Sequence, residues 1–240
     1  MFRSALIILF CTLFSGFALA QEEEDEEYQS EFVYGVNFNT NGGIIGGAMI
    51  KYARAMGPNM YQTFGLEIVN VKHPKELRAQ SNLTGNTFIY GKQNYLFVIR
   101  PNYGRELVLF RKAPDEGVQI NAIAAAGPSI GLVKPYYILY AYSPQDVRSE
   151  PYNPDRHNDF NRVSGSGGLT EGFGEMNVTM GLHAKAGLSF ELSGFRNSVT
   201  GFEVGFLAEA YTKKIIIIPA AQNRSVFSSV YLTLFFGSKR

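Results

Sequence analysis

From residue 174 to residue 192 the chain alternates without interruption. Met176, Val178, Met180, Leu182, Ala184, Ala186, Leu188, Phe190 and Leu192 are apolar, and Glu175, Asn177, Thr179, Gly181, His183, Lys185, Gly187, Ser189 and Glu191 between them are polar or glycine. Successive strand side chains point to opposite faces, so the pattern specifies one long strand with an apolar and a charged face. Strands of soluble proteins usually run to roughly 10 residues at most. A strand that crosses a bilayer obliquely needs about 9 to 11 residues in the hydrocarbon and continues beyond it, which makes a transmembrane β-barrel the leading reading and a large soluble β-sandwich its competitor.

The start of the chain reads as an export signal. Arg3 precedes an apolar run from Ala5 to Phe14, and Ala18, Leu19 and Ala20 supply a small-x-small cleavage pattern, so residues 1–20 form a signal peptide and the mature chain begins at Gln21. Cys11 lies inside that signal and is the only cysteine, which removes disulfides and thiolate chemistry from the mature chain. Residues 21–30 hold the run Glu22, Glu23, Glu24, Asp25, Glu26, Glu27, expected to be a solvated, disordered tail. Residues 31–240 suit one domain. The formal charge of +1 gives no field for nucleic acid. The longest isoleucine run, Ile215 to Ile218, is far too short for a spanning helix, so membrane entry requires a closed barrel that satisfies its own backbone.

Eight strands can be laid out. The first, through Phe32, Tyr34, Val36 and Phe38, ends at the tight-turn signal Asn41-Gly42-Gly43; the second runs from Ile44 to Arg54 and the third from Met60 to Val71. The fourth spans Lys92 to Asn102, with Tyr95, Phe97 and Ile99 outward and Asn94 and Arg100 inward. Residues 103–116 are expected as a periplasmic rim segment; used as strand, they would raise the count to ten. The fifth runs from Gly117 to Tyr142, with Pro128 marking a bulge or an edge of regular pairing. A long external loop, residues 143–172, follows, with Gly165-Ser166-Gly167-Gly168 as its flexible tip. The sixth is the opening segment, a turn at Gly194 to Asn197 follows it, and Val199–Lys213 and Ser225–Gly237 complete the set. Connections are mostly long on one side and short on the other, as in outer-membrane barrels. The expected fold is therefore an all-β, eight-stranded antiparallel transmembrane β-barrel.

Several stretches resemble a family of small outer-membrane β-barrel proteins of Bacteroidota grouped with the PorT-type barrels: Val71-Lys72-His73-Pro74-Lys75-Glu76-Leu77-Arg78, Arg100-Pro101-Asn102-Tyr103-Gly104-Arg105, Gly127-Pro128-Ser129-Ile130-Gly131-Leu132 with Lys134-Pro135-Tyr136-Tyr137, and Asn223-Arg224-Ser225-Val226-Phe227. None is a catalytic signature. The resemblance implies an outer-membrane location and a partner-bound role linked to secretion or barrel assembly.

Alternation places Lys51, Glu67, Arg100, His183, Lys185, Glu191, Glu203 and Glu209 in the lumen. An eight-stranded barrel is just wide enough for side chains to fill it, and buried charges must be paired, so these residues are expected as a salt-bridged plug; a narrow ion or proton path is the functional alternative. A lipid-modifying enzyme would need a histidine beside a nucleophile and a carboxylate, with His73, His157 and His183 as candidates. No cofactor motif or metal-ligand spacing occurs. Tyr136, Tyr137, Tyr140 and Tyr142 are expected in an interfacial aromatic belt. Arg148, Tyr152, Arg156, Phe160 and Arg162 in the long loop are candidate contacts for a partner, and outer-membrane lipid and other outer-membrane or periplasmic proteins are the partners expected.

Overall fold

The computed structural model describes residues 29–111, 117–192 and 198–240; the signal and most of the acidic tail lie outside them, as does the turn expected at Gly194 to Asn197. The strands, in chain order, are β1 (Ser30–Asn39), β2 (Gly43–Gly57), β3 (Met60–Val71), β4 (Arg78–Gln80), β5 (Thr87–Ile89), β6 (Asn94–Phe110), β7 (Gln119–Pro135), β8 (Tyr137–Ser143), β9 (Asp146–Pro151), β10 (Val163–Ser166), β11 (Asn177–Glu191), β12 (Ser198–Ile215) and β13 (Arg224–Lys239). Eight of them, β1-β2-β3-β6-β7-β11-β12-β13, form a closed antiparallel ring, with β13 pairing back onto β1.

The stagger of that ring sets its width. Following partners from Ser30 through Arg54, Gln62, Arg105, Ala124, Ala186, Phe206 and Val230 returns to β1 at Thr40, whose N–H donates to the Val230 carbonyl, so one circuit climbs from residue 30 to residue 40. Ten residues rise about 33 Å while eight strand spacings cover about 38 Å, which corresponds to a strand tilt of about 40° and a wall radius of about 8 Å. Such a ring holds one layer of long side chains from each wall. The start of β1 and the residue after β13 meet at the end of the ring that carries the β2–β3 turn, where Ser30 and Arg240 exchange backbone hydrogen bonds of 2.9 and 2.8 Å.

The two faces of the wall have opposite chemistry. Leu182 is 70 % and Phe206 71 % exposed on the outside, whereas Glu203 and Glu209 are fully buried inside. Water would expel the first pair and pull out the second. Only a hydrocarbon surround makes this arrangement favourable, so the barrel spans a membrane.

Several expectations need correction. Residues 103–110 are not a rim segment: β6 continues as a single 17-residue strand, with Glu106 and Val108 inward and Tyr103 and Leu107 outward. The apolar run Leu107 to Phe110 hides the alternation because Val108 is apolar and faces the lumen. That leaves eight barrel strands, without a ninth and tenth. The fifth strand does not reach Tyr142; it leaves the ring after Pro135, and β8 joins a separate sheet in the order β10-β8-β9. Pro128 makes no bulge. It keeps register with Leu182 and stands opposite Pro101, since the β6–β7 register is unchanged on either side of a gap between Ile99/Ile130 and Tyr103/Ala126. Two prolines without N–H groups cannot bridge the ladder there. Gly127 lets the strands stay close, because a Cβ at that position would lie 2.1 Å from the Pro101 carbonyl oxygen.

The long-loop end folds into a small head. β8, β9 and β10 form one sheet, β4 and β5 a hairpin, and the two share an apolar core of Phe88, Tyr136, Ile138, Tyr140 and Val163. Thr84 Oγ1 donates to the Ser164 carbonyl at 2.5 Å, and Asn82 to Asn161 Oδ1 at 2.8 Å. Gly165 and Ser166 are thus strand residues of β10, and the Gly167 N–H donates to the Tyr137 carbonyl, so the expected flexible tip is pinned. Tyr136 and Tyr140 are core residues of the head and lie outside any lipid belt.

Candidate functional site

The charged face predicted by alternation closes into three tiers inside the ring. Nearest the chain ends, Lys51 Nζ lies 2.8 Å from Glu106 Oε2 and 3.9 Å from Glu31, while Lys239 Nζ lies 2.5 Å from Glu191 and 3.9 Å from Glu31. Asn121 Nδ2 donates to the free oxygen of Glu106 at 2.7 Å. In the second tier Lys185 bridges Glu67 at 2.7 Å and Glu203 at 3.2 Å, and the Tyr231 hydroxyl donates to Glu203 at 2.7 Å. In the third, Arg100 holds Glu209 through two bonds of 2.8 Å, the Ser129 hydroxyl donates to Glu209 at 2.5 Å, and Ser129 lies 3.1 Å from His183 Nδ1.

All of the lumen residues singled out from sequence point inward, and the ring brings them together. Alternation continued one residue before Phe32 and two beyond Gly237 would also have found Glu31 and Lys239, and reading residues 103–110 as strand would have found Glu106. The pairings themselves were beyond sequence: Arg100 is opposite Glu67 in the sheet register yet bonds to Glu209 across the lumen. Unpaired, each of these ions would cost several kcal/mol to bury, and the chelate geometry is what offsets that cost.

Apolar layers close the column. At the head end Ile215, the last residue of β12, and Ile217 and Ile218, from the β12–β13 connection, pack onto Val69, Val71, Leu96, Val98 and Tyr211. Toward the chain ends Val33, Met49, Val199 and Phe235 form a second cluster. Beside Lys185 and Glu203 a cavity of about 10 Å³ remains, near the lower limit for one water molecule.

Ser129, His183 and Glu209 have the composition of a hydrolytic triad but not its wiring. The carboxylate bonds Arg100 and the serine instead of orienting the imidazole, His183 Nε2 has no hydrogen-bond partner among the described residues, and Ser129 is fully buried. His157 is a head core residue: its Nδ1 accepts from the Asn153 N–H at 2.9 Å and its Nε2 lies 3.0 Å from Glu150. His73 accepts from the Lys75 N–H at 3.1 Å in a loop turn.

The loop candidates divide by role. Tyr152 and Phe160 pack against the head core, with Phe160 in ring contact with Phe88 and Tyr90. Arg148, Arg156 and Arg162 are exposed; Arg148 pairs with Asp146 at 2.6 Å and Arg162 with Asp159 at 3.4 Å. Tyr142 donates to Glu150 at 2.6 Å, and that bond holds the Glu150 carboxyl below its ordinary pKa. Lys92, entirely buried at the base of the head, is paired with Glu76 at 2.8 Å, and burial pulls its ammonium below the ordinary lysine value. Lys134 ties head to barrel by donating to the carbonyls of Leu169 and Glu171, both at 2.6 Å.

Ring, filled lumen and apolar wall define the class: an eight-stranded β-barrel of the outer-membrane type. No protein-family model and no curated protein matches the chain. Among solved structures it is similar to Neisserial surface protein A (NspA), at 8 % identity over 88 % of this chain and 96 % of that one, with a TM-score of 0.42. It is also similar to Ail, the attachment invasion locus protein of Yersinia pestis, solved in complex with the heparin analogue sucrose octasulfate, at 11 % identity over 89 % and 99 % with a TM-score of 0.38.

Proposed function

We propose that this chain is an integral outer-membrane barrel that works by binding other proteins, as an accessory subunit of an outer-membrane secretion or assembly complex. One observation carries this reading: the lumen is filled by bonded charges and capped by isoleucines, while a head with its own core stands on the outer rim. A filled barrel offers its surfaces for work and leaves little room for passage. The resemblance of the quoted segments to PorT-type barrels supports the same role. A further support is the outer wall across β7, β11, β12 and β13, where Ala126, Ala184, Ala208 and Ser228 stand in one register row beside a groove of about 490 Å³. Small residues let another membrane protein approach closely.

Affinity purification from native membranes tests the proposal. Other outer-membrane or periplasmic proteins should co-purify with the intact chain and be lost when residues 137–166 are replaced by a short linker. Recovery of the chain alone would overturn it. Planar-bilayer recordings should show no conductance steps, and steady steps would restore the channel reading.

A further inference from the structure

Three connections converge at the outer rim on the side away from β7: the β1–β2 turn, the segment after β3 and the β12–β13 connection. They enclose a cleft of about 230 Å³ whose wall carries Lys72, His73, Lys75 and Arg224 and whose floor is Ile215, Ile217 and Phe227. The cleft is held by structure: the Lys72 N–H donates to the Asn41 carbonyl at 2.6 Å, Asn41 Nδ2 to the Ser228 carbonyl at 3.0 Å, and Asn223 braces the isoleucine turn through Ile217, Ile218 and Ala221. The floor isoleucines belong to the layer that caps the lumen.

Two properties narrow what fits. No carboxylate among the described residues forms an ion pair with Lys72, Lys75 or Arg224, and the nearest acid in sequence, Glu76, is engaged by Lys92 and the His73 N–H. The cleft thus presents Lys72, Lys75 and Arg224 without a carboxylate partner among the described residues, a charge pattern that favours an anion. Its lower lip is Val226, 58 % exposed and on the same outward face of β13 as Val230 and Leu232, so the cleft opens onto the lipid-facing wall. A volume below about 300 Å³ suits a head group better than a whole drug-sized soluble ligand. We propose that this cleft binds the phosphate-bearing head group of an outer-leaflet lipid, with the acyl chains running down the wall past Val226 and Val230. The proposal rests on the outer-membrane reading of the barrel and adds a specific lipid contact to it.

The test uses the full mature chain inserted into phosphatidylcholine vesicles containing lipid A, with and without its phosphate, and reads retained lipid by native mass spectrometry. The wild-type chain should retain phosphorylated lipid A in preference to the dephosphorylated form. The triple variant Lys72→Gln, Lys75→Gln, Arg224→Gln should lose at least about tenfold in occupancy, since charge-assisted contacts to phosphate are being removed. A control variant, Arg148→Gln, Arg156→Gln, Arg162→Gln, should retain the lipid as the wild type does. Equal retention by the cleft variant, equal retention of dephosphorylated lipid A, or displacement by free inorganic phosphate would each overturn the proposal. Heat-modifiable gel migration of each variant reports insertion separately. Failure of the wild-type chain to insert would strike the membrane reading, whereas insertion without lipid retention would sink the cleft alone.

Discussion

The lumen and the head are two cores in one chain built by opposite rules. The lumen is packed with ions such as Arg100, Glu209, Lys185 and Glu67, paired across the ring as Arg100–Glu209 and Lys185–Glu67. The head, standing in water, buries Phe88, Tyr136, Ile138 and Tyr140, and its arginines face outward. What separates the two is the medium outside. Lipid takes the apolar residues of the barrel wall, so the lumen receives what remains, while the head follows the ordinary aqueous partition.

The largest expected effect comes from breaking a lumen pair. Arg100→Met leaves Glu209 buried without its cation and should cost about 3 to 5 kcal/mol, while Arg100→Met with Glu209→Met should recover most of the loss. The chain has no tryptophan, so unfolding in lipid vesicles is best followed by far-UV circular dichroism. Full stability in the single variant would show that the lumen pairs are not energetically coupled.

One substitution made in both regions separates the media directly. Leu182, 70 % exposed on the barrel wall, and Leu169, 77 % exposed on the head, look alike by accessibility. Leu182→Lys should cost about 2 to 4 kcal/mol and slow insertion, because a lysine near mid-bilayer is poorly solvated. Leu169→Lys should stay within about 0.5 kcal/mol. Equal effects would remove the membrane from the explanation.

A smaller effect is confined to the head core. The Ile89 N–H donates to the Tyr136 hydroxyl at 2.9 Å, so Tyr136→Phe leaves a backbone donor without its acceptor and should cost about 1 to 2 kcal/mol. Faster proteolysis of the head with unchanged heat-modifiable migration of the barrel would show that the two cores open independently.

The mildest perturbation is pH. The hydrogen bond from Tyr142 depresses the Glu150 carboxyl, with desolvation opposing it and the His157 contact adding to it. A depressed carboxylate stabilises the folded head above the unfolded carboxylate value of about 4.3, and that contribution is lost as pH falls through the folded value below it. Protease sensitivity of the head should therefore rise in acid, and Glu150→Gln should flatten the response. An unchanged profile in that variant would assign the acid response to another group.

The barrel was legible in sequence because a wall between lipid and a packed lumen imposes a strict period of two, and that period places Lys51, Glu67, Arg100, His183, Lys185, Glu191, Glu203 and Glu209 on one side whatever their partners. It failed where the period was masked. Val108 faces inward among apolar neighbours, so β6 looked broken. Tyr136 to Tyr142 kept a strand-like pattern after the chain had left the ring, because β8 is a strand of a different sheet. The head was illegible as a unit for a further reason: its core joins Phe88 to Ile138 and Val163 across separate connections, and no local pattern records that contact.

Sequence alone therefore determined the strand faces, the closure into a barrel and the charged character of the lumen, since these follow from side-chain direction and the preference of each residue for lipid or a polar interior. Tertiary structure decided which charge meets which, that the isoleucines of the β12–β13 connection cap the column, and that Lys72, Lys75 and Arg224 share one cleft. Those outcomes depend on the stagger of the ring. A climb from residue 30 to residue 40 per circuit carries residues far apart in the chain to the same height, and that climb is a property of all eight strands together.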